Sequence, residues 1–281
     1  MLGAILAHLY HQQVTMSDEK PQRKMAKGAF LLPNIFTTLA LMAGFYAIVA
    51  AIGGEPVAAC IAIIIAGVLD GVDGRVARMT NTQSDFGVQY DSMSDMVSFG
   101  IAPAVLVFTW ALDGLGQPDT MADKMGWLGA FFFTGCAALR LARFNTQAGV
   151  ADKRYFQGLA SPAAAGTLIA TIWFCISREI EPDTVAWPML LLTLFLGTLM
   201  VSRVRYFSFK GRGVTDRVPF ASLFVLLVIL VLLALDPPAV LFTIGAIYVI
   251  SGLVVTAHGR YQQQRRRRRE GKQHEDTDEH P

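Results

Sequence analysis

Eight stretches of the chain are almost wholly apolar, near residues 30–52, 56–74, 93–112, 126–144, 159–176, 186–202, 219–235 and 238–257. Each approaches the roughly 20 residues that carry an α-helix across a bilayer. The breaks between them are short: GGEP after the first, DPP between the last two, and polar or charged segments elsewhere. They leave no room for a separate soluble domain. The pattern predicts an all-α, polytopic membrane helical bundle of about eight transmembrane helices. It divides the chain into an amino-terminal segment over 1–28, a transmembrane domain over 29–258 and a tail over 259–281.

Composition agrees, since 53% of the residues are hydrophobic and only 16% are charged. The net charge of +2 hides an uneven distribution. With eight spans, only Lys124 and Arg178 of the 24 lysines and arginines fall on one side of the membrane. A wrong number of spans would scramble that parity, so both termini are expected in the cytoplasm, and a bacterial inner membrane is the expected location. In the first fifteen residues Leu2, Ile5, Leu6 and Leu9 have helical spacing without the basic start or cleavage site of a signal peptide. Either a short interfacial helix forms there or Met16 is the true start. The tail, a basic block followed by an acidic one, is expected to be disordered. Its Arg265 to Arg269 run is either a topology signal or a contact for anionic membrane lipids. No nucleic-acid partner is expected.

The charges that break the pattern most sharply lie in DGVDGRVARMTNTQSDFGVQYDSMSD, Asp70 to Asp95. Asp70 and Asp73 are three apart on the second predicted helix, and Asp91 and Asp95 are four apart on the third, so each helix presents a carboxylate pair on one face. The polar linker MTNTQSDF reverses the chain between them, with Ser84 or Asp85 as the cap of the third helix. Ionisable groups next to membrane spans are costly and mark functional sites by default. Four carboxylates without histidine or cysteine favour magnesium, manganese or calcium over zinc or copper. Cys60, Cys136 and Cys175 are isolated in apolar runs, and the five histidines are confined to the terminal segments. Two such ions about 3.5 to 4 Å apart are a clamp for displacement at phosphorus, and Arg78 is placed to reach a diphosphate. A cation-coupled membrane transporter is the alternative from a different class. It would place its acids near the bilayer midplane, whereas these lie at helix ends beside a basic loop.

The same residues carry a resemblance to the CDP-alcohol phosphatidyltransferase family, whose signature is D-x-x-D-G-x-x-A-R, eight residues, G, three residues, D, three residues, D. Every fixed position is present, as Asp70, Asp73, Gly74, Ala77, Arg78, Gly87, Asp91 and Asp95. The resemblance implies a six-helix core with two further helices, a homodimer, and a site holding two divalent ions, Mg2+ or Mn2+, with the diphosphate of CDP-diacylglycerol. It implies that Asp70, Asp73 and Asp91 are metal ligands and that Asp95 is both a ligand and the general base. Gly74, Ala77, Arg78 and Gly87 would border the CDP-lipid. Asn34 is either a further nucleotide contact or a helix cap.

The signature does not specify the acceptor alcohol, which differs among family members: glycerol 3-phosphate, inositol, choline, serine or a second phospholipid. DMVSFGIAPA at 95–104, RLARFN at 140–145, RYFQGLASPAAAG at 154–166 and LMVSRVRYFSFK resemble the phosphatidylserine synthase branch. Ala160 stands where that branch often has proline. The branch implies transfer to the hydroxyl of L-serine, giving phosphatidylserine and CMP. Arg140, Arg143 and Asn145, at the cytoplasmic end of the fourth helix, are the expected acceptor contacts, because guanidinium groups bind a carboxylate by charge-assisted hydrogen bonds.

Overall fold

The structure, a computed structural model, describes residues 31–80, 84–116, 120–147, 155–202, 204–207 and 220–256. The segment expected over 1–28, the tail with Arg265 to Arg269 and the choice between Met1 and Met16 lie outside the described residues. Eight helices occur among the described residues: α1 (Leu31–Ile52), α2 (Pro56–Thr80), α3 (Asp85–Leu112), α4 (Met121–Gln147), α5 (Ser161–Ser177), α6 (Pro182–Val201), α7 (Phe220–Leu235) and α8 (Pro237–Thr256). Six are long and apolar enough to cross a membrane, and α5 and the apolar part of α7 are shorter. The polytopic helical bundle is therefore as expected.

The helix ends follow local chemistry. Gly54 takes a φ of 75° between α1 and α2, a conformation that costs a residue with a side chain. Prolines open α2, α5, α6 and α8, where a missing N–H costs nothing. Asp236 caps α8 by accepting a bond from the Ala239 N–H.

Helix α3 runs through the centre, touching α1, α2, α4, α5 and α6. Over half of this span (56%) is buried, against 11% for α8. It begins at Asp85, earlier than the apolar run at 93–112 suggests, because Ser84 caps it and its first turns are polar. After Asp95 the helix widens into π turns at Met96–Ile101 and Phe108–Leu112. Pro103 follows the first of these, where the hydrogen-bond ladder is already rearranged.

Small residues line the helix crossings, with Ala47, Ala59, Ala66, Ala102, Ala137, Ala164 and Ala165 fully or almost fully buried, so the backbones approach closely. The three cysteines are buried and free, as their apolar setting predicts. Phe45, Phe131 and Leu191 point outward, as a lipid-facing surface allows. Helix α8 docks on α5 through the Arg178–Asp236 ion pair, stacked Phe174 and Phe242 rings 4.8 Å apart, and Gly245 set against Thr167. A short antiparallel ladder, β1 (Tyr155–Gln157) with β2 (Arg205–Phe207), joins the segment before α5 to the one after α6. No helix-period argument foresees it.

Candidate functional site

The end of α2 and the start of α3 meet at one end of the bundle and bring the aspartates together. Carboxylate oxygens of Asp70, Asp91 and Asp95 lie within 4.8 Å of one another. Asp70 and Asp95 interact directly through their side chains. Asp73 stands beside this trio with only 4% of its surface exposed, and its Oδ2 accepts a 2.8 Å hydrogen bond from Thr37 Oγ1 on α1. Asp91 Oδ1 is buried without a hydrogen-bond partner among the described residues. Buried polar atoms are rarely left so. An all-carboxylate donor set with an orphaned oxygen fits a hard divalent cation, since the cation would supply the missing partner and offset the mutual repulsion of the acids.

The borders of this cluster are open on one side and tight on another. A Cβ added at Gly71 or Gly74 would meet nothing within 4 Å, so a ligand can approach the α2 backbone there. At Gly87 it would come within 3.1 Å of Ser84 Oγ and 3.5 Å of Asn34 Oδ1. Asn34 lies inside the first turns of α1 rather than ahead of it, so it does not cap α1, and its Oδ1 lies near Gly87 at the start of α3. The cap of α3 is Ser84, whose Oγ accepts from Gly87 N at 3.0 Å. Ala77 and Arg78 follow on α2, but their side chains lie outside the described residues.

The three acceptor candidates at the end of α4 are placed differently from one another. Arg140 is partly buried and borders the cluster: Nη1 donates to Ser161 Oγ at the start of α5 (3.1 Å), while Nε is buried with no partner among the described residues. Its charge faces Asp95 and Tyr248 of α8. Asn145 is turned toward α3, where its Nδ2 donates to Ser92 Oγ at 3.0 Å. Arg143 is half-buried on the same helix end.

Sequence reasoning missed several residues that hold this arrangement. Ser94 Oγ donates to the Thr37 carbonyl and Ser98 Oγ to the Ala40 carbonyl, both at 3.3 Å. A small-xxx-small pair, Ala40 and Gly44, with two serines four apart on the partner helix, is a readable signal of close crossing. Thr37, Ser161 and Tyr248 carry no comparable local signal.

Comparison with known proteins gives one family and a consistent set of relatives. The family model described as CDP-alcohol phosphatidyltransferase matches residues 30–199. The chain is 32% identical to a CDP-diacylglycerol–serine O-phosphatidyltransferase of Helicobacter pylori over 227 residues, 80% of this chain and 90% of that protein. It is 31% identical to the protein of the same name from Mycobacterium leprae over 191 residues, 66% of this chain and 61% of the relative. It is 32% identical to an archaetidylserine synthase of Methanothermobacter thermautotrophicus over 184 residues, 65% of this chain and 72% of the relative.

Proposed function

Because this chain belongs to the CDP-alcohol phosphatidyltransferase family, we propose that it transfers the phosphatidyl group of CDP-diacylglycerol to the hydroxyl of L-serine, releasing phosphatidylserine and CMP. The observation that carries this reading is the meeting of Asp70, Asp91 and Asp95 with the partly buried Arg140 at one end of the bundle. The first group suits a diphosphate held through cations, and the second suits the carboxylate of an amino acid. The names of the relatives, which specify serine, support the acceptor.

In this mechanism Asp70, Asp73, Asp91 and Asp95 hold two divalent ions, Mg2+ or Mn2+. When bound, these ions neutralise the diphosphate and the charge that builds on the departing phosphate. Gly74, Ala77, Arg78, Gly87 and Asn34 border the CDP-lipid, the open face at Gly74 giving the closest approach to backbone. Arg140 receives the serine carboxylate on its guanidinium, only one donor of which is engaged by Ser161, with Arg143 and Asn145 flanking it. Asp95, on the same side as Arg140, takes the proton of the serine hydroxyl as its oxygen bonds to the phosphorus bearing diacylglycerol. The bond from that phosphorus to the CMP oxygen breaks, and CMP leaves with the electron pair. The site opens to the cytoplasm, as the lysine and arginine asymmetry supports. Two copies assemble as a homodimer, as the family resemblance implies.

The test is CMP release by the purified full chain from CDP-diacylglycerol with a panel of alcohols and Mg2+ or Mn2+. Release that requires L-serine and stops in excess EDTA is expected. Release with another alcohol but not serine would overturn the acceptor, and full activity in EDTA would overturn the metal mechanism.

A further inference from the structure

The two aspartate helices do not meet through their own side chains alone, and the element between them is a single residue of α1. Thr37 is 4% exposed. Its Oγ1 donates to Asp73 Oδ2 on α2 at 2.8 Å, and its backbone carbonyl accepts from Ser94 Oγ on α3 at 3.3 Å. Ser94 immediately precedes Asp95, and Asp73 is one of the acids within electrostatic reach of Asp91 and Asp95. The contact continues inward through Ser98 Oγ to the Ala40 carbonyl and the close seating of Gly44 on Ser98.

We propose that Thr37 is a positioning residue of the metal site, acting through Asp73 and fixing the α2 acids relative to the α3 acids. The role presupposes that the aspartates bind divalent cations, as in the mechanism just given. Three physical features support it. A buried carboxylate oxygen has few alternatives to a protein donor, so the bond to Thr37 fixes the rotation of the Asp73 carboxyl group. Thr37 and the Gly74 backbone N–H together take two of the about four acceptor sites of this carboxylate, so lone pairs remain for a cation. Threonine is also stiff at χ1, so its hydroxyl is a directed donor rather than a swivelling one. Outer-shell donors of this kind orient metal-binding carboxylates and commonly govern affinity by 10- to 100-fold.

The experiment compares Thr37→Val, which keeps the shape and removes the hydroxyl, with Thr37→Ser, which keeps the hydroxyl. Mn2+ binding to the purified full chain in lipid nanodiscs is read from the electron paramagnetic resonance signal of free Mn2+. The Mn2+ dependence of CMP release is measured in parallel. Thr37→Val is expected to weaken Mn2+ binding about 10-fold, while Thr37→Ser stays within about 3-fold of the unaltered protein. Wild-type Mn2+ affinity in Thr37→Val, or equal losses in the two variants, would overturn the proposal, the second because it would indicate packing alone. Thr37→Ala gives the same readout should the valine variant fail to fold. Asp91→Asn separates the two levels of the reading. If it too binds Mn2+ normally, the aspartate metal site itself falls. If it loses Mn2+ while Thr37→Val does not, only the role of Thr37 falls.

Discussion

Gly44→Ala should damage the enzyme from the far side of the site. Gly44 lies on α1 two turns inward from Thr37, and a Cβ there would fall 2.4 Å from Ser98 Oγ, 2.9 Å from Ser98 Cα and 3.0 Å from Ser98 Cβ. The Ser98 backbone cannot rotate away as a flexible side-chain end would. Restoring ordinary contact near 3.4 Å with the Ser98 Cα therefore requires α1 and α3 to separate by about 0.5 Å. Overpacking of this kind costs about 1 to 3 kcal/mol. The two serine-to-carbonyl bonds that stretch with it add about 0.6 kcal/mol each, a typical interhelical value in membranes. The expected destabilisation is about 2 to 4 kcal/mol. The same displacement carries Asp91 and Asp95 away from Asp73; a 1 Å misplacement of reacting groups costs on the order of 100-fold in rate, so a shift of about 0.5 Å is expected to cost about 10-fold. The assay is kcat for CMP release beside the unfolding temperature in detergent, with Gly135→Ala on α4 as control, since its added Cβ meets nothing within 4 Å. Wild-type stability and turnover in Gly44→Ala would refute the claim that the α1–α3 crossing sets the site.

Asp95→Asn should lower kcat by about 100- to 10,000-fold, and turnover within twofold of wild type at saturating substrates would refute the assignment of Asp95 as base. Arg140→Lys removes the planar fork and should raise KM for L-serine by about 10-fold or more while leaving KM for CDP-diacylglycerol near wild type. Tyr248→Phe, which removes the hydroxyl facing Arg140, should shift the serine KM in the same direction by less than Arg140→Lys does, as measured in the same titration. Gly158→Ala combines a φ of 86° with a Cβ 2.4 Å from the Met200 carbonyl oxygen. It should cost at least about 2 kcal/mol, seen as a lower unfolding temperature.

What could be read from the chain beforehand depended on whether the relevant signal was local. Membrane spans are written in runs of apolar residues because lipid leaves the backbone no other solution, and the eight helices among the described residues, six of them long and apolar enough to cross, were legible with ends within about two turns. The exception was the start of α3, where polar residues from Asp85 to Ser94 hide a helix that needs no apolar stripe of its own. The four acids were legible because carboxylates beside a membrane are rare and their spacing is fixed by the helix. Nothing in the neighbourhood of Thr37 or Tyr248 announces a partner on another helix, because residue separations of 36 between Thr37 and Asp73 and over a hundred between Arg140 and Tyr248 are set by tertiary packing. Asn145 shows the same limit: its helix-end position suggested a ligand contact, but its bond to Ser92 Oγ on α3 is set by packing and was not legible.

The π turn directly after Asp95 gives α3 two rotational phases. In a uniform α-helix each residue advances by about 100°, so the face presented at one end dictates the face presented at the other. A π turn absorbs an additional residue without lengthening the helix by a full turn. The acid-bearing turns at Asp91 and Asp95 and the apolar turns around Leu106 can thus be aimed independently, one at the site and one at the bundle interior. Were the same number of residues within 96–101 wound as plain α-helix, one half would swing by about 100° relative to the other. For this helix, the number of residues between the site and the core is as much a part of the chemistry as their identity.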